Sequence, residues 1–253
     1  MLIMKPETTD STILPGIKPV LDQLRQSPDR VDSVTIRKGR KNADTDAIVT
    51  LCRRHGIRFT FVQDTALDKL FSGNHQGVVA RVFNAGYVEV EDVLEAALAS
   101  PLKLVLALDQ VQDPGNAGTL ARTLYALGGG GIIMPKHNAS ALGSAAVKAS
   151  AGALARLPVA RATNLSRALE TAADQGFSIY AARFDDGSVN AFTARLDTPA
   201  VLVLGNEDKG VRPGVAKRCT ASIHIPMQRE FDSLNVAQAG AMLMGCFYAR
   251  LQS

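Results

Sequence analysis

Val111-Gln-Asp-Pro-Gly-Asn-Ala-Gly-Thr-Leu-Ala-Arg-Thr123 is the stretch on which the reading of this chain turns. It directly follows the apolar run Leu102–Leu108, which predicts a buried strand. Asp113-Pro114-Gly115 predicts a turn, because Pro fixes one φ and Gly tolerates positive φ. The pattern then becomes helical over Asn116–Ala126, with Asn116 as the expected N-cap. Strand, turn and helix together put Asn116 and Arg122 near the carboxyl edge of a strand, where open α/β sheets bind their ligands. Taken alone, the stretch fits equally well a capped surface helix with a solvated arginine.

Two further segments have the same form. In Val201-Leu-Val-Leu-Gly-Asn-Glu-Asp-Lys-Gly210 a branched aliphatic strand runs into a Gly-rich polar turn. Gly205 there permits close approach to the backbone, and Glu207 is a carboxylate at a strand end. In Ile223-His-Ile-Pro-Met-Gln-Arg-Glu-Phe-Asp-Ser-Leu-Asn-Val-Ala-Gln-Ala239 a short strand leads through a loop to an apolar helix with Ser233 and Asn235 at its start. Three strand-to-loop junctions bearing polar groups predict one site assembled from distant parts of the chain.

Strands are predicted at Leu102–Leu108, Gly131–Met134, Ser178–Ala182, Ala200–Leu204 and Ser222–Ile225. Helices are predicted at Asn116–Ala126, Ser144–Ala149, Leu165–Gln175 and Leu234–Arg250. This alternation predicts a parallel sheet covered on both faces. Gly128-Gly-Gly-Gly131 ends a helix and precedes a strand, the reverse of a phosphate loop, so it reads as a helix C-cap and turn. The Gly205–Gly210 turn is no Walker loop, and the first strand is not followed by GxGxxG, which disfavours a Rossmann-type methyltransferase.

Upstream, helices are predicted at Ile17–Leu24, Ala47–His55 and Ala66–Phe71, and strands at Val31–Ile36, Arg58–Val62 and Gly77–Val82. They describe a small, separate α/β unit. The expected organisation is a disordered tail at 1–12, a small domain at 13–84, a linker at 85–100 carrying an acidic helix over Val90–Ala99, and a larger domain at 101–253.

Composition sets broad bounds. The chain has 253 residues, 46% of them hydrophobic, enough for two modest cores. A net charge of +4 and a pI near 9.0 are compatible with a polyanionic partner without demanding one. Cys52, Cys219 and Cys246 are scattered, as are His55, His75, His137 and His224, so no metal site is expected. Reduced thiols in a cytoplasmic protein are the expectation. No membrane-length apolar run and no signal-peptide pattern is present.

The three junctions resemble motifs 1, 2 and 3 of the SpoU (TrmH-like) branch of the SPOUT RNA 2′-O-ribose methyltransferases. The matching residues are Asn116, Gly118 and Arg122; then Gly205, Asn206, Glu207 and Gly210; then Ile225, Pro226, Met227, Ser233, Leu234 and Asn235. Asn74-His-Gln-Gly-Val-Val-Ala80 resembles the end of the family's small substrate-binding domain, with Gly16 near that domain's start. The chain is most similar to the subgroup that methylates a guanosine ribose in large-subunit (23S) ribosomal RNA. The resemblance implies an L30e-like N-terminal α/β domain and a C-terminal SPOUT-type α/β domain with a parallel sheet and a deep trefoil knot, a feature general topology rules would not predict. It also implies S-adenosyl-L-methionine as cofactor, RNA as partner and a homodimer.

By the same resemblance, Gly205, Asn206, Ile225, Met227 and Leu234 hold the adenosine part of the cofactor, and Asn116, Arg122, Glu207, Ser233 and Asn235 are the catalytic set. Arg122 has the family role of contacting the target phosphate and has been put forward as general base. A guanidinium with a pKa above about 12 suits a phosphate clamp better than a base. Plainer roles stand beside these: core packing for Ile225 and Leu234, N-capping for Asn116 and Ser233, loop ordering for Glu207. Arg37, Lys38, Arg40 and Lys41 form a basic cluster, either a solvated charge run or, given the domain's resemblance to a ribosomal-protein-like RNA binder, an RNA contact. One departure from the family pattern stands out: Arg229 and Asp232, with Glu230 and Phe231 between them, replace the usual small motif 3 residues. The final helix carries Val236, Ala239, Met242, Leu243, Cys246 and Phe247, more apolar surface than one face needs, which is the sequence argument for a dimer. Two rivals remain: a transfer-RNA ribose methyltransferase of the same branch, and an RNA-binding module without catalysis.

Overall fold

The computed structural model describes residues 11–39, 42–83, 87–140, 142–229 and 233–251. The chain divides into two compact units, Met1–Ala85 with Ala141–Ser144, and Gly86–Ser140 with Ala145–Ser253.

The first unit contains β1 (Ser11–Pro15), α1 (Ile17–Gln26), β2 (Val31–Arg37), α2 (Ala43–Arg54), β3 (Arg58–Val62), α3 (Asp64–Leu70) and β4 (Val78–Phe83). Its sheet runs β1-β4-β2-β3. β4 is antiparallel to both β1 and β2, and β3 lies parallel to β2. Val20, Leu24, Ile36, Ile48 and Cys52 form the centre of its core. Helix α2 starts sharply because Asn42 Oδ1 accepts from Thr45 N–H at 2.8 Å while Thr45 Oγ1 accepts from Asn42 N–H at 3.1 Å. The expected tail at 1–12 is too long. Ser11 and Thr12 already pair with Phe83 and Val82, where β4 offers an open edge for backbone hydrogen bonds. Residues 1–10 lie outside the described residues.

The second unit holds α4 (Val90–Ala99), β5 (Leu104–Asp109), α5 (Pro114–Ala126), β6 (Gly131–Pro135), α6 (Ser144–Ala149), β7 (Val159–Ala162), α7 (Leu165–Asp174), β8 (Ser178–Ala182), β9 (Val189–Asn190), β10 (Ala200–Gly205), α8 (Pro213–Ala216), β11 (Ala221–His224) and α9 (Val236–Leu251). Seven strands order as β7-β6-β5-β10-β8-β11-β9, and every described pairing is parallel. Central strands β5 and β10 are buried along their whole length, as a sheet covered on both faces requires. Chain order reverses direction between β5 and β10, which makes their carboxyl ends the crevice of the sheet. Helix α9 packs on α5 and β10.

Two expectations need correction here. The stretch 85–100 is not a free linker: Val93, Leu94 and Ala97 of α4 are fully buried in the core of the second unit, beside Val105 and Ile133. A truncated chain that keeps this core must therefore start near Tyr87, before α4. The N-cap of α5 is Asp113 and not Asn116. Asp113 Oδ1 accepts from Asn116 N–H at 2.7 Å, with Pro114 in the first turn, where a missing N–H costs nothing. The turn read from Asp113-Pro114-Gly115 is itself the helix start. The glycines after α5 do close the helix, with Gly128 at φ 82° and Gly129 N–H donating to Leu124 O at 2.8 Å.

Candidate functional site

Relieved of capping, the Asn116 side chain becomes a bridge. Its Nδ2 donates to Glu207 Oε1 at 3.0 Å, and its Oδ1 accepts from Asn235 Nδ2 at 3.1 Å. One residue from each of the three junctions thus meets in a single hydrogen-bonded chain. Asn235 also caps α9, with Oδ1 accepting from Ala237 N–H at 2.9 Å. That gives Asn235 the capping role at α9 that sequence left open for Ser233, as Asp113 has the one at α5 left open for Asn116.

The Gly205–Gly210 turn is tied by its own backbone and by Asn206. Asn206 N–H donates to Gly210 O at 3.1 Å, and Gly210 N–H returns a bond to Asn206 O at 2.9 Å. Asn206 Oδ1 accepts from the N–H groups of Asp208 and Lys209, both at 3.1 Å, while Nδ2 donates to Gln110 O at 3.0 Å. This side chain is therefore engaged in holding the loop against the end of β5. A Cβ on Gly205 would sit 2.1 Å from the Gly210 carbonyl carbon and 2.2 Å from Val211 N, so only glycine lets the loop fold back this closely.

Between the ends of β8, β10 and β11 lies a cleft of about 620 Å³. Gly205, Asn206, Ile225, Met227 and Leu234 all line it, joined by Glu207 and Ser233. Its floor is apolar, from Leu204, Ile223, Val236 and Leu243, and its rim is the polar loop of 205–210. An apolar slot with a few fixed polar groups, in this size range, suits a drug-sized organic ligand.

Arg122 stands apart. It is exposed, does not line the cleft, and has no hydrogen bond or ion pair among the described residues. It follows Asn116 by six residues, which turns it about 240° around α5. Ala117, beside Asn116 in α5, is fully buried. Arg229 is exposed, whereas 230–232, including Asp232, lie outside the described residues. In the first unit Arg37 is committed to an ion pair: its Nε donates to Asp64 Oδ1 at 2.6 Å, and Nη2 also engages Asp64. Lys38 is exposed, and Arg40 and Lys41 lie outside the described residues. No group of three potential metal ligands occurs among the described residues.

Sequence reading missed two features of this edge. One is Asp109, fully buried at the end of β5, which accepts from Arg212 Nε at 2.7 Å and from Arg212 N–H at 2.8 Å. Its only sequence signal is an acidic residue closing an apolar strand. The other is the lip formed by Phe184 and His224, whose rings meet edge-on at 5.1 Å, with Phe184 84% exposed. His224 Nδ1 is hydrogen-bonded to Ser188 Oγ at 2.9 Å, and Arg183 pairs with Asp185 at 2.7 Å, which pins the lip.

Fold and cleft together define an α/β protein that takes an organic ligand at the switch point of a parallel sheet. Residues 103–245 match the SpoU rRNA Methylase family, and residues 13–88 match the family of RNA 2′-O ribose methyltransferase substrate binding domains. The chain belongs to the SpoU methyltransferase family. It is 36% identical over 200 residues to YacO of Bacillus subtilis, assigned to the TrmH family of tRNA/rRNA methyltransferases, covering 78% of this chain and 79% of that one. It is 34% identical over 241 residues to an uncharacterized tRNA/rRNA methyltransferase of Mycobacterium marinum, covering 94% of this chain and 76% of the other. Among solved structures, an AdoMet-bound rRNA methyltransferase from Sinorhizobium meliloti superposes with a TM-score of 0.61 at 25% identity, over 96% of this chain and 89% of that one. An RNA methyltransferase assigned to the TrmH family, from Porphyromonas gingivalis, gives 0.59 at 28% identity, over 95% and 90%. No helix among the described residues is long and apolar enough to cross a membrane.

Proposed function

We propose that this protein transfers a methyl group to the 2′-hydroxyl of a ribose in structured RNA, a guanosine of large-subunit rRNA, with S-adenosylmethionine as donor. The observation that carries the reading is the Glu207–Asn116–Asn235 chain of hydrogen bonds at the rim of a cleft lined by Gly205, Asn206, Ile225, Met227 and Leu234. The cleft fits the donor in size and in character, an apolar slot for a base beside backbone groups for its polar edges. When bound, the cofactor supplies an activated methyl group. The residues of this chain supply alignment, which is a large term when two substrates must meet in line.

In this reading Asn206 shapes the loop, and Glu207 positions Asn116 and through it Asn235. Ser233, exposed on the cleft wall, offers a hydroxyl to the incoming ribose. Arg122 clamps the target phosphate. Its separation from the cleft within one subunit fits completion of the site by a second copy, so a homodimer belongs to the proposal. The apolar residues of α9 support that dimer less than their number suggests. Val236, Leu243, Cys246 and Phe247 are buried within the subunit, which leaves Met242, Tyr248 and Leu251 as its exposed apolar groups. The trefoil knot belongs to the proposal as well, formed where the chain returns from β11 to lay α9 on α5. The first unit, with Lys38 exposed, selects the RNA, and the cytoplasm is the compartment where that RNA is met.

Mapping 2′-O-methyl sites in RNA from cells lacking the protein tests the substrate. Loss of one methyl from a 23S rRNA guanosine is expected. Loss from a tRNA instead would move the assignment to the tRNA branch. No measurable S-adenosylmethionine binding by calorimetry would leave only the RNA-binding module.

A further inference from the structure

We propose that a second cavity on the carboxyl edge, outside the ends of β5, β6 and β7, is a subsite for one backbone phosphate of the RNA; this rests on the reading that the protein modifies RNA. The cavity measures about 410 Å³ and is lined by Gln110, His137, Asn138, Thr163, Ser166 and Arg212, with no carboxylate in its wall. These residues follow four adjacent strands, β7, β6, β5 and β10, and converge without a chemical role in the methyl-transfer site.

Arg212 is the centre of the subsite. Asp109, fully buried, holds it by three contacts: Nε at 2.7 Å, Nη2 at 2.6 Å and the backbone N–H at 2.8 Å. The ordering of a long side chain is therefore complete before any ligand arrives, which lowers the entropy lost on binding. Nη1 has no hydrogen-bond partner among the described residues, so a fixed donor remains for an oxygen ligand. Guanidinium donors held in a rigid fork suit phosphate oxygens. Around it stand the His137 imidazole and the Thr163 hydroxyl, with Lys136 exposed next along the chain, while the Ser166 hydroxyl already donates to Gly214 O at 3.1 Å. Asn164 caps α7 by accepting from Arg167 N–H at 3.3 Å, which leaves the first-turn N–H groups of Leu165 and Ser166 to add their dipoles to the same wall.

The cavity also shares a partition with the cofactor cleft. Gln110 O receives the Asn206 bond from the far side, and Val211 lines the cleft while Arg212 lines the cavity. A phosphate held here is separated from the methyl-transfer site by this partition alone, so one polynucleotide can contact both.

Full-length His137→Glu and Thr163→Glu each put a carboxylate into the cavity at an exposed position that leaves the Asp109–Arg212 pair intact. RNA affinity should fall roughly tenfold in each. The slope of log affinity against log salt should become shallower by about 0.7–0.9, the loss of one phosphate contact. Calorimetric affinity for S-adenosylmethionine should not change. Inorganic phosphate titrated into the labelled protein should shift the Leu165 and Ser166 amides and the Arg212 side chain. Wild-type RNA affinity and salt slope in both variants would overturn the subsite. Phosphate shifts at these groups with unchanged RNA affinity would mean a free anion is the ligand and would likewise overturn it. An unaltered chain that binds neither RNA nor S-adenosylmethionine would instead sink the functional reading, a result separable from failure of the variants alone.

Discussion

Asn116 Nδ2 donates to Glu207 Oε1 at 3.0 Å across 91 positions of sequence. That bond joins the start of α5 to the loop after β10, and Asn235 extends it to the start of α9. Asn116→Ala removes both bonds and leaves Glu207 and Asn235 without this partner. The expected cost in stability is roughly 1 kcal/mol, because the groups are partly exposed to water. In a unit of this size that lowers Tm by about 2–4 °C. Methyl transfer should fall far more, by about a hundredfold or more, since alignment is lost. A thermal melt and a methyl-transfer assay on the same preparation check both. Full activity in Asn116→Ala would remove the bridge from the account.

Gly205→Ala is a local test of the cleft. The added methyl would meet the backbone of Gly210 and Val211 inside van der Waals distance, so the loop must open. Overpacking of this kind costs about 1–3 kcal/mol. Even alanine, and not merely a bulky residue, should therefore abolish measurable cofactor binding by calorimetry while circular dichroism remains that of a folded chain. Unchanged affinity would contradict the proposed cofactor site.

Arg122 separates binding from transfer. Arg122→Ala should keep calorimetric affinity for S-adenosylmethionine and lose methyl transfer, because the residue lies away from the cleft. Arg122→Lys should recover little, since lysine keeps the charge but lacks the fork that grips a phosphate. Activity near wild type in the alanine variant would take Arg122 out of the mechanism.

Burial pushes the thiols of Cys52 and Cys219 up to about 11, from an ordinary 9.0. The folded chain therefore holds these protons to higher pH than the unfolded chain. Their contribution is present in full below about pH 9 and is lost as pH rises toward 11. Urea unfolding at pH 8 and pH 10.5 should show a larger loss of stability in the wild type than in the Cys52→Ala, Cys219→Ala double variant. Equal losses would refute the assignment.

Much of the fold was legible for a simple reason. Leu104–Asp109 and Ala200–Gly205 are buried on both faces, so their sequence is a continuous apolar run. Val159–Ala162 escaped because four residues with an arginine among them carry no such run, and Val189–Asn190 is a single short pairing. That Asn116, Glu207 and Asn235 meet at one edge was legible from the three junctions, yet not what each side chain does there: whether Asp113 or Asn116 caps α5 depends on a turn continuing into a helix. Asp109 and Arg212 lie 103 positions apart, and nothing local announces their pairing. In α9 the sequence shows how much apolar surface exists, but only the packing tells that Phe247 spends its ring on Tyr180, at 5.5 Å, within the same subunit.

The central claim is that the acceptor is a ribose hydroxyl. The 2′-hydroxyl distinguishes RNA from DNA at a single position, so it can be removed without changing the base. The decisive measurement is methyl incorporation from labelled S-adenosylmethionine into a substrate RNA carrying one 2′-deoxy nucleotide at the mapped target. That RNA should bind as the unmodified one does and accept no methyl. Methyl incorporation into it would show that the base is modified and would contradict the account.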